Sequence, residues 1–424
     1  MSENREKTVA GHLAPFFAGM LSRPPPVPIR FWDGSQIGSD SGQDAVFVRS
    51  ARALRRIIFA PGELGFARAY VSGDMDIEGD IFEALRLADA LSVGGASIRL
   101  RPRDWIRLIR AAAAVGAIGL PPAPPNEEVR LSGRLHSKRR DSAAISHHYD
   151  VSGDFYQLVL GPTLTYSCAY FCRPGMALDD AQAAKYDLIC RKLGLSEDMR
   201  LLDVGCGWGG MVLHAAAEYG VSAVGVTLSR NQADAAAKRV AQAGLSHKVE
   251  IRMQDYRDIE DGPFDAISSI GMFEHVGSQR LQDYFGKISS LLGWGGRFLN
   301  HAISAIGEGG LAESPFIDRY VFPDGELHEP ASVVAAMQTH GLEVRDLQSL
   351  REHYGQTLRI WVANLQNNWA EAVHLVGEAR ARVWLLYMAG SALGFEQAQM
   401  GLHQILGVKT DPGGRSFMPG TRPV

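Results

Sequence analysis

Cysteine is scarce in this chain and narrowly placed. The 424 residues hold 4 cysteines, Cys168, Cys172, Cys190 and Cys206, all inside one short span. A secreted disulfide framework spreads more of them more widely, so a reducing cytoplasm is the expected setting. Zinc would need a second Cys/His pair at a suitable spacing from Cys168 and Cys172; none follows, and no metal is expected. Charge of one sign is not in excess either. The net charge of −4 leaves no electrostatic footprint for nucleic acid. Long apolar runs are missing: the most apolar stretch, Ala111 to Leu120, falls well short of the ~20 residues a membrane-spanning helix needs. The apolar patch after Leu13 has no small-residue cleavage site, so no signal peptide is expected.

What is present is an ordinary globular composition, 46% hydrophobic and 21% charged, in a chain long enough for two or three domains. Residues 1–120 read as a small mixed α/β domain. Strands are expected around Phe31 and over Ala45–Val48, helices over Ser50–Phe59 and Ile81–Ala90. Pro121-Pro122-Ala123-Pro124-Pro125 opens a stiff, extended linker, since proline fixes φ and removes donors. This proline-rich and basic linker covers 121–145, and the main domain 146–424. From Leu201 strands alternate with helices. Strands are predicted at Leu201–Val204, Ala223–Thr227, Val249–Met253, Phe264–Ser269 and Gly296–Ile303, with helices at Gly209–Tyr219, Arg230–Ala243 and Gln279–Leu292. That alternation indicates an α/β fold, a doubly wound Rossmann-like parallel sheet with ligands at the carboxyl ends of its strands. A strand at Glu343–Leu350 and two long helical patterns, Gln356–Asn368 and Ala370–Ile405, complete the prediction.

The most informative stretch is Leu201-Leu202-Asp203-Val204-Gly205-Cys206-Gly207-Trp208-Gly209-Gly210, a buried strand running into a glycine turn that opens a helix. Gly205, Gly207 and Gly210 match G-x-G-x-x-G, which alone is weak evidence for a dinucleotide. The second strand ends in Gly225-Val226-Thr227-Leu228-Ser229-Arg230, with no carboxylate for a ribose. That counts against a nicotinamide cofactor, and more weakly against the commonest methyltransferase pattern. Asp203, in the strand end, is placed to orient the turn and accept from a bound amino-acid moiety. Asp255 is placed to accept from an adenine amino group while Tyr256 packs on the ring; the plainer reading of Asp255 is a helix N-cap or turn residue.

Tyr166-Ser167-Cys168, the turn at 202–210, Thr227-Leu228-Ser229-Arg230-Asn231-Gln232, Met272-Phe273-Glu274-His275-Val276-Gly277 and His353-Tyr354, taken in order, resemble the cyclopropane fatty-acid synthases. The resemblance runs from about Ser146 to Leu406. Gly62-Glu63-Leu64-Gly65-Phe66 and Tyr70-Val71-Ser72-Gly73 look like the smaller N-terminal domain of the phospholipid-acting members. The resemblance implies an S-adenosylmethionine-dependent enzyme that modifies double bonds of membrane phospholipid acyl chains. It puts Tyr166 and Ser167, with Gly205 and Gly207, at the amino-acid end of the cofactor, Thr227, Leu228 and Gln232 along the ribose, and Asp255 and Tyr256 at the adenine. It implies a bound bicarbonate as base, at the Cys168 backbone, Glu274, His301 and Tyr354. The plainer readings are a core histidine for His301, a helix cap for Glu274 and core packing for Tyr354. His147 and His148 read as a structural loop. Some relatives carry a cysteine in the last helix where this chain has Ser391; a cation mechanism needs none.

An alkene is a poor nucleophile, and its attack on a sulfonium methyl leaves a carbocation. Such a site needs dry walls, a small base and groups that tolerate positive charge. Between Arg99 and Arg140 there are ten Lys/Arg against three Asp/Glu, with Trp105 and Ile106 among them. That segment suits an anionic bilayer surface, the plainer reading being a solvated helix face. The expectation is a cytoplasmic protein, peripherally attached to membrane, with a homodimer implied by the family. Ring closure is the leading outcome; a methylene- or methyl-branched chain, methylation of a small amine, and a silent lipid carrier are the rivals.

Overall fold

The computed structural model describes residues 8–20, 25, 27–39, 44–91, 102–129, 140, 152–306 and 314–420. His147 and His148 lie outside these, as do residues 99–101 and 130–139 of the basic segment. The described residues form two compact units. The first comprises those within 1–130, 312–321 and 369–393, and the second those within 131–311, 322–368 and 394–424. Two stretches past residue 146 thus belong with the first unit, where the sequence suggested one continuous main domain.

The first unit holds α1 (Val9–Met20) and a four-stranded sheet of β1 (Ile29–Phe31), β2 (Gln36–Ile37), β3 (Ala45–Val48) and β4 (Met75–Glu78), in the order β2-β1-β3-β4. Helices α2 (Ala51–Phe59) and α3 (Glu63–Val71) join β3 to β4, and α4 (Ile81–Leu91) and α5 (Pro102–Ala114) follow. Ile29, Phe31, Val46, Val48, Ala67 and Met75 are buried in its core. Gly65 sets how closely α3 crosses α2: a Cβ there would stand 2.2 Å from the Ala60 carbonyl oxygen.

Glu128 ties the end of the proline-rich stretch to this unit. Its carboxylate, with the side chain only 4% exposed, accepts from Arg68 Nη2 (2.6 Å) and Nε (2.8 Å), Arg319 Nη1 (3.0 Å) and the Tyr320 hydroxyl (3.2 Å). Burial pushes the carboxyl up, but the bonds from Arg68 and Arg319 outweigh it and hold it below its usual 4.5. A depressed folded value means the stabilisation is complete above that usual value and is lost as pH falls through the folded one. Glu128→Ala strands the Arg68 guanidinium and is expected to cost about 2–4 kcal/mol. The check is a lowered urea midpoint at neutral pH, with the gap to the unsubstituted chain shrinking in acid.

The second unit opens with α6 (Gly153–Leu160) and α7 (Leu178–Leu193) and is built on a seven-stranded sheet, order β10-β11-β9-β8-β5-β6-β7. Its strands are β5 (Arg200–Val204), β6 (Ser222–Thr227), β7 (Val249–Met253), β8 (Phe264–Ile270), β9 (Leu292–Ala305), β10 (Leu342–Ser349) and β11 (Met400–Lys409). The pairs β5–β6, β6–β7, β5–β8 and β8–β9 are parallel, as the strand–helix alternation predicts. Crossovers run through α8 (Gly210–Tyr219), α9 (Arg230–Gln242) and α10 (Leu281–Leu291). Its later helices are α12 (Pro330–Thr339) and α13 (Arg351–Asn367), whereas α11 (Pro315–Tyr320), α14 (Trp369–Val376) and most of α15 (Glu378–Glu396) fall in the stretches grouped with the first unit. Leu202, Val204, Ile267, Phe285 and Phe298 form one buried cluster of this unit, and Leu201, Val212, Ala266 and Leu299 belong to another.

The expected helix Ala370–Ile405 is corrected. It breaks at Gly377, where φ is +80°, resumes as α15, and gives way to β11. β11 runs antiparallel to both neighbours, between β9 and β10. Both of its faces are buried, so the polar/apolar alternation that marks a half-exposed strand is missing, and an apolar run alone does not distinguish helix from strand.

Candidate active site

The glycine turn sits where the doubly wound sheet demands. β5 ends at Val204, the Gly205 and Cys206 N–H groups both donate to the Val226 carbonyl (3.0 and 2.9 Å), and α8 begins at Gly210. Gly205 holds φ at +81°, and a Cβ there would stand 2.8 Å from the Met272 side chain. Asp203, buried beneath the turn, accepts from Ser268 Oγ at 2.7 Å, and burial pushes its carboxyl up to about 6. At the end of β6, Thr227 Oγ1 donates to Gln232 Oε1 (2.8 Å), and Ser229 caps α9 through the Gln232 N–H (3.3 Å). Past β7, Asp255 accepts from the Arg257 N–H (2.9 Å) and from its guanidinium (2.8 and 2.6 Å). Asp255 is therefore the N-cap of a short 3₁₀ turn, and it faces the cleft as well. Tyr256 packs edge-on against Tyr284, ring centroids 5.3 Å apart.

These groups line one cavity of about 1190 Å³, its open mouth included. Tyr166, Ser167, Asp203, Gly205 and Gly207 line it, and so do Thr227, Leu228, Gln232, Asp255 and Tyr256. Every residue expected at the cofactor thus faces the same space, at the carboxyl ends of β5, β6 and β7.

None of the four residues expected at the base lines this cavity: Cys168 follows Ser167, Glu274 lies between Met272 and His275, His301 pairs with Ile270, and Tyr354 connects to them through β9, β11 and α13. Glu274 Oε1 accepts from the Ile303 N–H at 2.7 Å, while Oε2 is buried with no hydrogen-bond partner among the described residues. Burial pushes this carboxyl up to about 7. His301, two residues before Ile303 on β9, is 1% exposed. Gln404 Nε2 donates to its Nδ1 (3.1 Å), which leaves the ring proton on Nε2, again buried and unpartnered. Burial, with Lys185 and Lys192 nearby, holds His301 well below its usual value and therefore neutral. Ile303 pairs with Leu402 on β11, and the Leu402 carbonyl accepts from the Leu350 N–H at 2.8 Å. The Leu350 carbonyl in turn accepts from the Tyr354 N–H (3.3 Å) and the Cys168 thiol (3.8 Å). The Tyr354 ring lies against Trp361 and Phe395. Burial pushes the Cys168 thiol up, so it is no nucleophile.

Residues 136–405 match the family model described as mycolic acid cyclopropane synthetase. The chain belongs to this family. A "probable fatty acid methyltransferase" of Mycobacterium tuberculosis is 44% identical over 92% of the chain and 93% of its own length. The cyclopropane-fatty-acyl-phospholipid synthase of Escherichia coli is 36% identical over 66% of the chain and 72% of its own. A crystal structure of a mycolic acid cyclopropane synthase complexed with SAH and CTAB superposes with a TM-score of 0.60, at 38% identity, over 63% of this chain and 97% of that one. With the cavity above, this makes the cyclopropane synthetase family member an S-adenosylmethionine-dependent methyltransferase.

Three polar residues that hold these groups were missed in the sequence. Gln182 Nε2 donates to the Ser167 carbonyl (2.9 Å), Lys185 Nζ donates to Ser167 Oγ (2.9 Å), and Gln404 orients His301. A signal for the first two exists: Gln182 and Lys185 share the helix face of Ala181, Leu188 and Ile189, polar groups on a stripe that should be apolar. Gln404 had none, because its segment was read as helix.

Proposed function

We propose that this enzyme transfers the methyl group of S-adenosylmethionine to the double bond of an unsaturated phospholipid acyl chain and that the product is a cyclopropane. The carbon–sulfur bond breaks as the alkene carbon bonds the methyl, and S-adenosylhomocysteine leaves. The carbocation then closes to the ring by losing a proton from the new methyl. One observation carries this reading: a buried acceptor, Glu274 Oε2, and a buried donor, His301 Nε2, both unpartnered among the described residues, belong to residues whose neighbours Met272, His275 and Ile270 line the cofactor cavity. An anion that both donates and accepts hydrogen bonds matches that set, and bicarbonate does both. When bound, it supplies a base of moderate strength for the departing proton. His301 contributes a fixed neutral donor, Glu274 an acceptor locked by the Ile303 N–H, and Tyr354 a hydroxyl from α13. The cofactor lies with its amino-acid end at Tyr166, Ser167, Gly205 and Gly207, its ribose at Thr227, Leu228 and Gln232, and its adenine at Asp255 and Tyr256.

The phospholipid substrate is supported by the name of the Escherichia coli relative. Attachment to an anionic surface is supported by α5, which exposes Ile106 and Ile109 together with Arg110, and by Ile118 and Leu120 just beyond it. Among the described residues, no helix is long and apolar enough to cross a membrane. A second reading, a methylene-branched chain formed by a hydride shift before proton loss, draws on the relative named a fatty acid methyltransferase.

The test supplies purified enzyme with methyl-labelled S-adenosylmethionine and vesicles of dioleoyl phosphatidylglycerol or dioleoyl phosphatidylcholine. Label in the acyl chain, a mass gain of one methylene and cyclopropane proton resonances are expected, faster on the anionic vesicles. Exomethylene resonances would select the second reading, label in no lipid would overturn both, and equal rates on the two vesicles would remove the surface claim.

A further inference from the structure

A buried lysine with no carboxylate within ion-pair distance among the described residues stands behind the cofactor cavity. Lys185, on α7, is fully buried. Among the described residues its Nζ has one hydrogen-bond partner, Ser167 Oγ at 2.9 Å, and no carboxylate within ion-pair distance. Its other surroundings are the Tyr186 ring, 3.7 Å from Nζ to the centroid, the Cys168 thiol, and Asp203, whose carboxyl is engaged by Ser268. Burial pulls Lys185 down to about 7, with Cys168 and Asp203 opposing. A buried lysine held this low is only partly charged near neutral pH, and an anion arriving close by would favour its charged form.

The cavity side of the contact says where that anion sits. Ser167 lines the cavity, whereas Lys185 does not. In its charged form Lys185 only donates, so Ser167 Oγ accepts from it and the hydroxyl hydrogen is left to donate elsewhere. α7 grips the same segment at two more points: Gln182 Nε2 on the Ser167 carbonyl (2.9 Å), and the Tyr186 hydroxyl on Thr165 Oγ1 (3.1 Å). The Ser167 hydroxyl is thereby fixed, polarised and aimed as a donor.

We propose that Lys185 is a positioning residue that acts through Ser167 to make this end of the cavity selective for the carboxylate of the cofactor's amino-acid moiety. The proposal rests on the assignment of that moiety to Tyr166 and Ser167. Lys185 supplies the charge from behind the wall and Ser167 the contact with the carboxylate.

The test uses two ligands that differ in this moiety. S-adenosylhomocysteine carries the amino acid; 5′-methylthioadenosine keeps the adenosine and sulfur without it. Calorimetric titration is expected to show Lys185→Met weakening S-adenosylhomocysteine about 10- to 100-fold and leaving 5′-methylthioadenosine within about twofold. Ser167→Ala should show the same selectivity, and the double variant should lose little beyond the worse single one, because both act along one path. Equal weakening of the two ligands by Lys185→Met would mark a merely structural lysine and overturn the proposal; so would no weakening of either, or full additivity. Loss of both ligands alike in Ser167→Ala would instead overturn the placement of the amino-acid end. Should Lys185→Met fail to fold, Lys185→Gln keeps a donor without the charge and is expected to lose about 3- to 10-fold for S-adenosylhomocysteine alone; no selective loss there would overturn the role of the charge.

Discussion

Glu274→Gln is expected to lower methyl transfer to lipid by about 10³-fold while S-adenosylhomocysteine affinity stays within about twofold. The substitution keeps the shape and one carbonyl oxygen for the Ile303 N–H, so β9 and the turn after β8 have no reason to move. What changes is the position of Oε2, where an amide presents a donor in place of an acceptor. An anion held there loses its hydrogen-bond acceptor, and the proton of the methylated chain loses its destination. Radiolabel transfer to vesicles, run beside the calorimetric titration, separates the two effects. Stability should move the other way. Burial raises the folded carboxyl to about 7 from a usual 4.5, so ionising it opposes folding increasingly as pH climbs between those values. The glutamine variant escapes this cost and should melt higher than the unsubstituted enzyme at pH of about 8, by up to about 2 kcal/mol, with the difference nearly gone at about pH 5. A variant that loses activity and stability together at alkaline pH would contradict this account of Glu274.

Gly205→Ala should weaken S-adenosylmethionine by at least about 100-fold. Two penalties coincide. At φ +81° an L side chain carries strain of about 1–2 kcal/mol. The added Cβ also meets Met272 Cβ and Cγ at 2.8 Å, an overlap relieved only by shifting the segment that carries Glu274, at a further cost of about 1–3 kcal/mol. The Gly205 and Cys206 N–H groups hold the turn to Val226, so distortion spreads to the donors that face the ligand. Affinity measured by titration and the melting temperature without ligand should part company: the former collapses while the latter falls by a few degrees. Unchanged affinity would mean that the turn does not cradle the cofactor.

The cofactor half of the site was legible because its chemistry is local. A strand, a glycine turn and a helix follow one another between Leu201 and Tyr219, and the ends of the next two strands can be found by the same pattern. The residues proposed to hold the base were legible only through resemblance. Glu274, His301, Tyr354 and Cys168 come from four distant segments, and only the register of β9 with β11 joins them. No periodicity reveals that Ile303 faces Leu402. The misread helix over Ala370–Ile405 concealed that register, since β11 is covered on both faces and lacks alternation. Asp255 shows another limit. Capping and ligand binding favour the same residue, and the structure gives it both positions.

The placement of β11 also sets an order in time. A chain leaves the ribosome from its N-terminus, so every residue around the cofactor cavity is made long before Gln404. Until Met400–Lys409 slots between β9 and β10, the edge of β9 is bare and the His301 ring has no Gln404 to fix its proton on Nε2. Completion of the sheet is therefore a late checkpoint of synthesis. The residues that line the cavity are thus made before the strand that orients His301.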